Sequence, residues 1–231
     1  MDYFQNLQNK LGDVYFVVVG AMDGITDDFI YPLVNQYNWS GLLIEPRKDK
    51  FELLKKNYNK FSNVKFANVA IDKDKRKRKL YYIENDVIKQ NNLPNWVEGI
   101  SSFYKKQMDV FLHLPNLVQD SKTNPETKRM LEKMNLIIKN NYKSCNVTCS
   151  RLSDVLASHL VKKIDILIID VEGADYMVFD QFDFSKYSPY IVCVEIKHMN
   201  ETNIEKLISK LKLEGYNVKR YRNDVLGIKE I

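Results

Sequence analysis

Asp170-Val171-Glu172-Gly173-Ala174-Asp175 concentrates the groups best suited to chemistry in this 231-residue chain. It follows an apolar run, Ile164 to Ile169, broken only by Asp165, so its acids stand at the mouth of a buried strand. Carboxylates there cost desolvation unless something pairs with them, and stability explains them poorly. A second run, Tyr190 to Ile196, ends on Glu195 and is followed by Lys197 and His198. Histidine ordinarily titrates near pH 6.5 and can accept a proton at neutral pH, so His198 is the first candidate base. The plain alternative is a surface histidine opening a loop. Glu172 is the next candidate, against a helix-capping role, and Asp170 stands beside it. Asp170, Glu195 and His198 could also gather a divalent ion, for which hard oxygen ligands suit Mg²⁺.

These residues need a scaffold, and Tyr15 to Gly24 supplies its first piece. Five apolar residues, Tyr-Phe-Val-Val-Val, run into Gly20, and Gly24 follows after Ala21, Met22 and Asp23. A strand covered on both faces, a glycine turn and a helix N-terminus make a nucleotide-type cofactor site. That helix is expected to begin near Thr26 or Asp27. Glu45 ends the next apolar run, Leu42 to Ile44, where an acid can accept hydrogen bonds from both ribose hydroxyls. Two ordinary strand-to-helix turns are the competing reading.

The remaining pattern alternates. A short helix over residues 1–13, ended by Gly12, is expected to pack on the sheet edge or cover the cofactor. Helices over Asp27–Tyr37 and Lys48–Tyr58 flank the Leu42–Glu45 strand, and Asn63–Ala70 reads as a third strand. This β-α-β-α-β order implies a doubly wound parallel sheet. After an extra strand at Lys77–Ile83 the alternation breaks. The segment 84–146 carries a helix over Glu126–Asn140 with Met130, Met134, Ile137 and Ile138 as its apolar face. It is too long for a passive connection. We read a single domain, 1–231, with 84–146 as an inserted lid, and Gly99 to Phe103, including Ser102, returning to the cofactor. A strand at Val147–Ser150, a helix at Leu152–Leu160, a helix over 201–214 and two closing strands joined by Arg222-Asn223-Asp224 complete the chain. The last pair predicts an antiparallel hairpin on the sheet edge.

Composition narrows the partners. No apolar run reaches the length of about 18 residues that spans a bilayer, so a soluble cytoplasmic protein is expected. Cys145, Cys149 and Cys193 are an odd set and read as reduced thiols. The net charge of +5 comes largely from Lys73 to Lys79, a run that reads as a solvated strand edge without interleaved aromatics. Nucleic acid is therefore not the expected partner, although the run could attract an anionic substrate.

Taken together, Val18-Val19-Gly20-Ala21-Met22-Asp23-Gly24, Ile44-Glu45-Pro46, Leu167 through Asp175 and Val194-Glu195-Ile196-Lys197-His198 resemble the motifs of the FkbM-type S-adenosylmethionine-dependent methyltransferases. The resemblance covers about residues 14–83 and 147–200. It implies a Rossmann-like class I methyltransferase sheet: seven strands, the last antiparallel, with helices on both faces. It further implies S-adenosylmethionine as cofactor and O-methylation of a sugar, nucleotide-sugar, glycan or glycolipid hydroxyl. Gly20, Ala21 and Gly24 would then pass the methionyl part, Glu45 the ribose, and Asn68 to Ile71, with Ala70 between, the adenine. Val18 stands where the family places an acid, so Asp23 or Asp170 would meet the methionyl amine. The expected partner is a small-molecule or glycan acceptor, and a homo-oligomer stays open. An RNA ribose methyltransferase using Asp170, Lys197 and Glu195, a noncatalytic cofactor-binding module, and an NAD-binding dehydrogenase are the competing functions.

Overall fold

The computed structural model describes residues 3–26 and 28–230. In chain order the first unit begins with α1 (Tyr3–Leu11), β1 (Tyr15–Val19), α2 (Ile30–Tyr37), β2 (Ser40–Ile44), α3 (Lys48–Asn57), β3 (Val64–Ala67) and β4 (Ala70–Ile71). There follow β5 (Arg76–Tyr82), α4 (Asn85–Gln90), β6 (Ser101–Ser102), α5 (Pro115–Asp120), α6 (Pro125–Asn141) and β7 (Lys143–Ser150). The chain closes with α7 (Leu152–Ser158), β8 (Ile166–Ile169), α8 (Asp175–Phe179), β9 (Ile191–Glu195), α9 (Glu201–Leu213), β10 (Asn217–Tyr221) and β11 (Asp224–Ile228). Two compact units result. One holds the residues up to Lys77, Val147–Val171 and those from Asp175 on; the other holds Arg78–Asn146 and Glu172–Ala174.

The first unit contains a seven-stranded sheet in the order β10-β11-β9-β8-β1-β2-β3. β1 lies parallel to β2 and β8, and β8 parallel to β9, while β11 runs antiparallel to both β9 and β10. The expected class I sheet with its antiparallel last strand is thus present. Its central strands are buried on both faces, which is why they read as unbroken apolar runs. One face packs Val17, Leu42, Leu167 and Val192 against α7, α8 and α9. The other packs Phe16, Leu43 and Ile166 against α1, α2 and α3. α1 therefore belongs to a sheet face: Leu7 is fully buried, and Gln8 accepts a hydrogen bond from Trp39 Nε1 at 2.6 Å.

Several boundaries differ from the sequence reading. α2 begins at Ile30, because Asp23 and Asp28 spend their carboxylates on turns before it; Asp27 lies outside the described residues. The expected third strand divides at Asn68, whose side-chain amide donates to the carbonyls of Glu45 and Pro46. Beyond that point β4 leaves the main sheet and pairs with the end of β7, Ala70 opposite Cys149 and Ile71 opposite Ser150.

The second unit has its own core, with Ile83, Val97, Ile100, Val110, Leu131 and Ile138 among its buried residues. α6 starts on the Asn124 cap and Pro125, as the helix-start rules anticipate. Its buried face is Leu131, Met134, Asn135 and Ile138, whereas Met130 is 45% exposed. The stripe is rotated from the expected one because Asn135 faces inward and accepts the Val110 N–H at 3.1 Å. No hydrophobicity pattern would place an asparagine there.

Candidate active site

The tips of β1, β2 and β8 are neighbours, and the backbone between them is closely fitted. The Gly20 and Ala21 amides both donate to the Ile44 carbonyl at 3.0 Å, and Asp170 N–H donates to Val19 O at 3.0 Å. Gly20 has φ +90°, and a Cβ built there would lie 1.7 Å from the Asp170 carbonyl oxygen. Only glycine lets the two strand tips approach this closely. Gly24 is required for a different reason: at φ +71° its Cα faces Leu54 and Tyr58 of the α3 side, so the second glycine of the motif serves packing.

Glu45 follows β2 and is 5% exposed. Its Oε2 accepts the Met22 N–H at 2.9 Å and its Oε1 the Arg47 N–H at 2.7 Å. Burial pushes its carboxyl up to about 7, against the lowering pull of those two amides and the Arg47 charge. Arg47 is itself buried and pairs with Asp49, Nη2 to Oδ2, at 2.6 Å. Each Glu45 oxygen still has an acceptor lone pair beyond the amide it holds. Met22 sits at φ +47°, an uncommon conformation for a non-glycine residue, and thereby aims its amide at Glu45.

The other expected cofactor residues divide. Asp23 binds within its own turn, accepting from Ile25 N, Thr26 N and Thr26 Oγ1. Desolvation opposes its ionisation, but those hydrogen bonds and Lys50 leave it below the usual carboxylate range. Asp170 is exposed at the β8 tip and is the better placed of the two acids for an incoming cation. Asn68 braces the exit of β2, while Ala70 and Ile71 are buried, Ile71 within the main core.

Carboxylate oxygens of Asp170, Asp175 and Glu195 lie within 4.8 Å of one another. Two acids of the expected trio, Asp170 and Glu195, fall in this grouping, together with Asp175. Asp175 is buried and accepts the Val171 N–H at 2.7 Å, which closes the loop after β8. We assign no metal here. His198 is half-buried in the turn after β9.

In the second unit Ser102 is buried and donates from Oγ to the Glu172 carbonyl at 2.6 Å. Glu172 and Gly173 have φ +51° and +102°, so an acid occupies a conformation that normally selects glycine. His113, which sequence reasoning passed over, has its Nδ1 4.0 Å from Glu172 Oε2. It lies within a polar, irregular stretch of the expected lid, and only its stacking partner Trp96 could have drawn attention to it.

The sequence matches the methyltransferase FkbM domain over residues 19–218. The chain belongs to the FkbM methyltransferase family. This membership makes S-adenosylmethionine the expected methyl donor. A crystal structure of the methyltransferase FkbM from Methylobacillus flagellatus KT has a similar fold, with a TM-score of 0.53 and 10% identity over 94% of this chain and 44% of that one. The chain thus spans less than half the length of that relative. The methyltransferase domain of METTL16 gives a TM-score of 0.46 at 11% identity, over 98% of this chain and 64% of that one. The Methanococcus jannaschii fibrillarin pre-rRNA processing protein gives 0.42 at 10%, over 94% and 67%. Comparison with curated proteins finds no match.

Proposed function

We propose that this FkbM-family chain is an S-adenosylmethionine-dependent O-methyltransferase that modifies a hydroxyl of a sugar, nucleotide-sugar or glycan. The observation that carries the cofactor reading is Glu45, a buried carboxylate at a strand tip with each oxygen fixed by a backbone amide. A ribose diol offers two O–H donors to the remaining lone pairs, and the fixed amides make the acceptor rigid before anything binds. Asp170, exposed beside the Gly20 tip, has the charge to meet the α-ammonium of the methionyl part. The donor set of this chain therefore fits the cofactor.

When bound, S-adenosylmethionine supplies an electrophilic methyl group on a sulfonium. The protein's part is to hold an acceptor oxygen in line with it and to remove the hydroxyl proton. His198 and Glu172 are the two residues proposed for that proton. The lid role of 84–146 and of Ser102 belongs to the same proposal. A metal is not required by this account, and added Mg²⁺ should leave turnover unchanged.

Within the basic run Arg76 pairs with Asp72 at 2.7 Å and Lys75 with Asp154 at 3.4 Å. Transfer of a labelled methyl group to a panel of monosaccharides, nucleotide-sugars, glycolipids and RNA tests the proposal. Label on a sugar hydroxyl is expected; label only on RNA, or a thermal shift with NAD but not with S-adenosylhomocysteine, overturns it.

A further inference from the structure

The sequence places no aromatic residue among the cations that follow Asp72, but the fold brings two to the end of that run. β6 pairs antiparallel with β5, Tyr81 opposite Ser102 and Tyr82 opposite Ser101, so the chain leaving β6 passes back along β5 towards Arg78. It delivers Phe103 and Tyr104 there. The Arg78 guanidinium lies 3.8 Å from the Phe103 ring centre, the spacing of a stacked contact, and 6.0 Å from that of Tyr104. Lys106, in the turn that follows, holds its ammonium 5.9 Å from the Tyr104 centre. All of these residues belong to the second unit.

Their contacts differ in a way that matters for binding. Stacking fixes Arg78 by its face, and the donors of a guanidinium lie in its plane, a fork suited to phosphate oxygens. At 6.0 and 5.9 Å the two cations flank the Tyr104 ring without covering it, and Tyr104 is 37% exposed. Lys105 is committed elsewhere: its ammonium donates to the Tyr142 hydroxyl, which raises its pKa above the ordinary lysine value. Among the described residues no acid pairs with Lys106, whereas Lys143 holds Glu84 and Lys139 holds Asp109, each at 2.7 Å. One open ring between a fork and a point charge fits a planar base joined to phosphate. A neutral sugar would leave both cations unanswered. Single-stranded nucleic acid uses successive rings, and here Phe103 is already covered by Arg78.

We propose that Arg78, Tyr104 and Lys106 form a binding surface for the nucleoside diphosphate part of a nucleotide-sugar, the base lying on the Tyr104 ring and the phosphates meeting the two cations. The inference rests on the sugar-methylating reading above and selects the nucleotide-sugar from its acceptors. Titration calorimetry of the intact protein with GDP tests it, with S-adenosylhomocysteine at saturation so that the cofactor site is occupied. One-site binding is expected. Lys106→Ala should weaken it about fivefold or more and reduce its salt dependence. Tyr104→Ala should weaken it about tenfold or more, and Tyr104→Phe should restore it. Both side chains are exposed, so Tm should stay as in the wild type. Inorganic pyrophosphate should bind more weakly than GDP and ignore Tyr104→Ala.

No heat from GDP, or GDP affinity unchanged in both alanine variants, overturns the surface. Pyrophosphate binding as tightly as GDP overturns the role of the base. A single-stranded RNA oligonucleotide that binds far more tightly than GDP and weakens in both variants overturns the occupant, as does glucose binding that depends on Tyr104. The two readings fail separately. A protein that binds S-adenosylhomocysteine but not GDP refutes the surface alone, and one that binds GDP but not S-adenosylhomocysteine refutes the methyltransferase reading.

Discussion

Glu45 shows how a single side chain can be stabilised by its neighbours and still be strained by burial. Its folded pKa, about 7, lies above the ordinary glutamate value of 4.5 because burial outweighs two amide hydrogen bonds. The folded protein therefore binds more protons at Glu45 than the unfolded chain between those two values. Its contribution to stability is fully present below pH 4.5 and is lost as pH rises through about 7. The loss is on the order of 3 kcal/mol. Glu45→Gln should flatten the fall in Tm across that window in the ligand-free protein, as scanning calorimetry at several pH values would show. If Glu45 holds the ribose as proposed, the ribose hydroxyls donate to the ionised form, so S-adenosylhomocysteine should bind more tightly as pH rises toward and past 7. That dependence should vanish in Glu45→Gln. Gly20 makes a steric prediction at the same tip. A Cβ 1.7 Å from the Asp170 oxygen cannot be accommodated without parting β1 from β8, so Gly20→Ala should cost on the order of 3 kcal/mol or more in denaturant unfolding.

At the level of elements, the strands with unbroken apolar runs were legible in the sequence, because a central parallel strand leaves no polar face to confuse the pattern. β1, β2, β8 and β9 appear where those runs are, and the β10-β11 hairpin closes the sheet at the end of the chain. What the pattern could not show were contacts made by polar side chains. Asn68 ends β3, Asn135 turns α6, and the Asp23 and Asp28 turns delay α2. Glu172 was legible as a candidate from its place after β8, whereas its partner His113 arrives from a distant irregular stretch that carries no periodic signal. The Ser102 hydroxyl is another such contact and gives an element-scale prediction. Ser102→Ala leaves the Glu172 carbonyl without that donor and should cost about 1–2 kcal/mol, read as a fall of several degrees in Tm.

For the whole molecule, the family assignment and the sheet order agree that one unit is a class I methyltransferase scaffold. Among the described residues no helix is long and apolar enough to cross a membrane. The second unit, with its separate core, is where the chain departs from a plain alternation of strands and helices, and it contains Ser102, Glu172 and His113. On the proposed lid role, substitutions on the surface of that unit should change which acceptor is labelled while leaving cofactor affinity alone. The proposal that the strand tips bind the cofactor is tested most directly by titration calorimetry with S-adenosylhomocysteine on the wild type and on Glu45→Ala. Saturable one-site heat from the wild type, with affinity at least tenfold weaker in Glu45→Ala, is the predicted result. Absence of heat from the wild type, or equal affinity in the variant, would contradict the account.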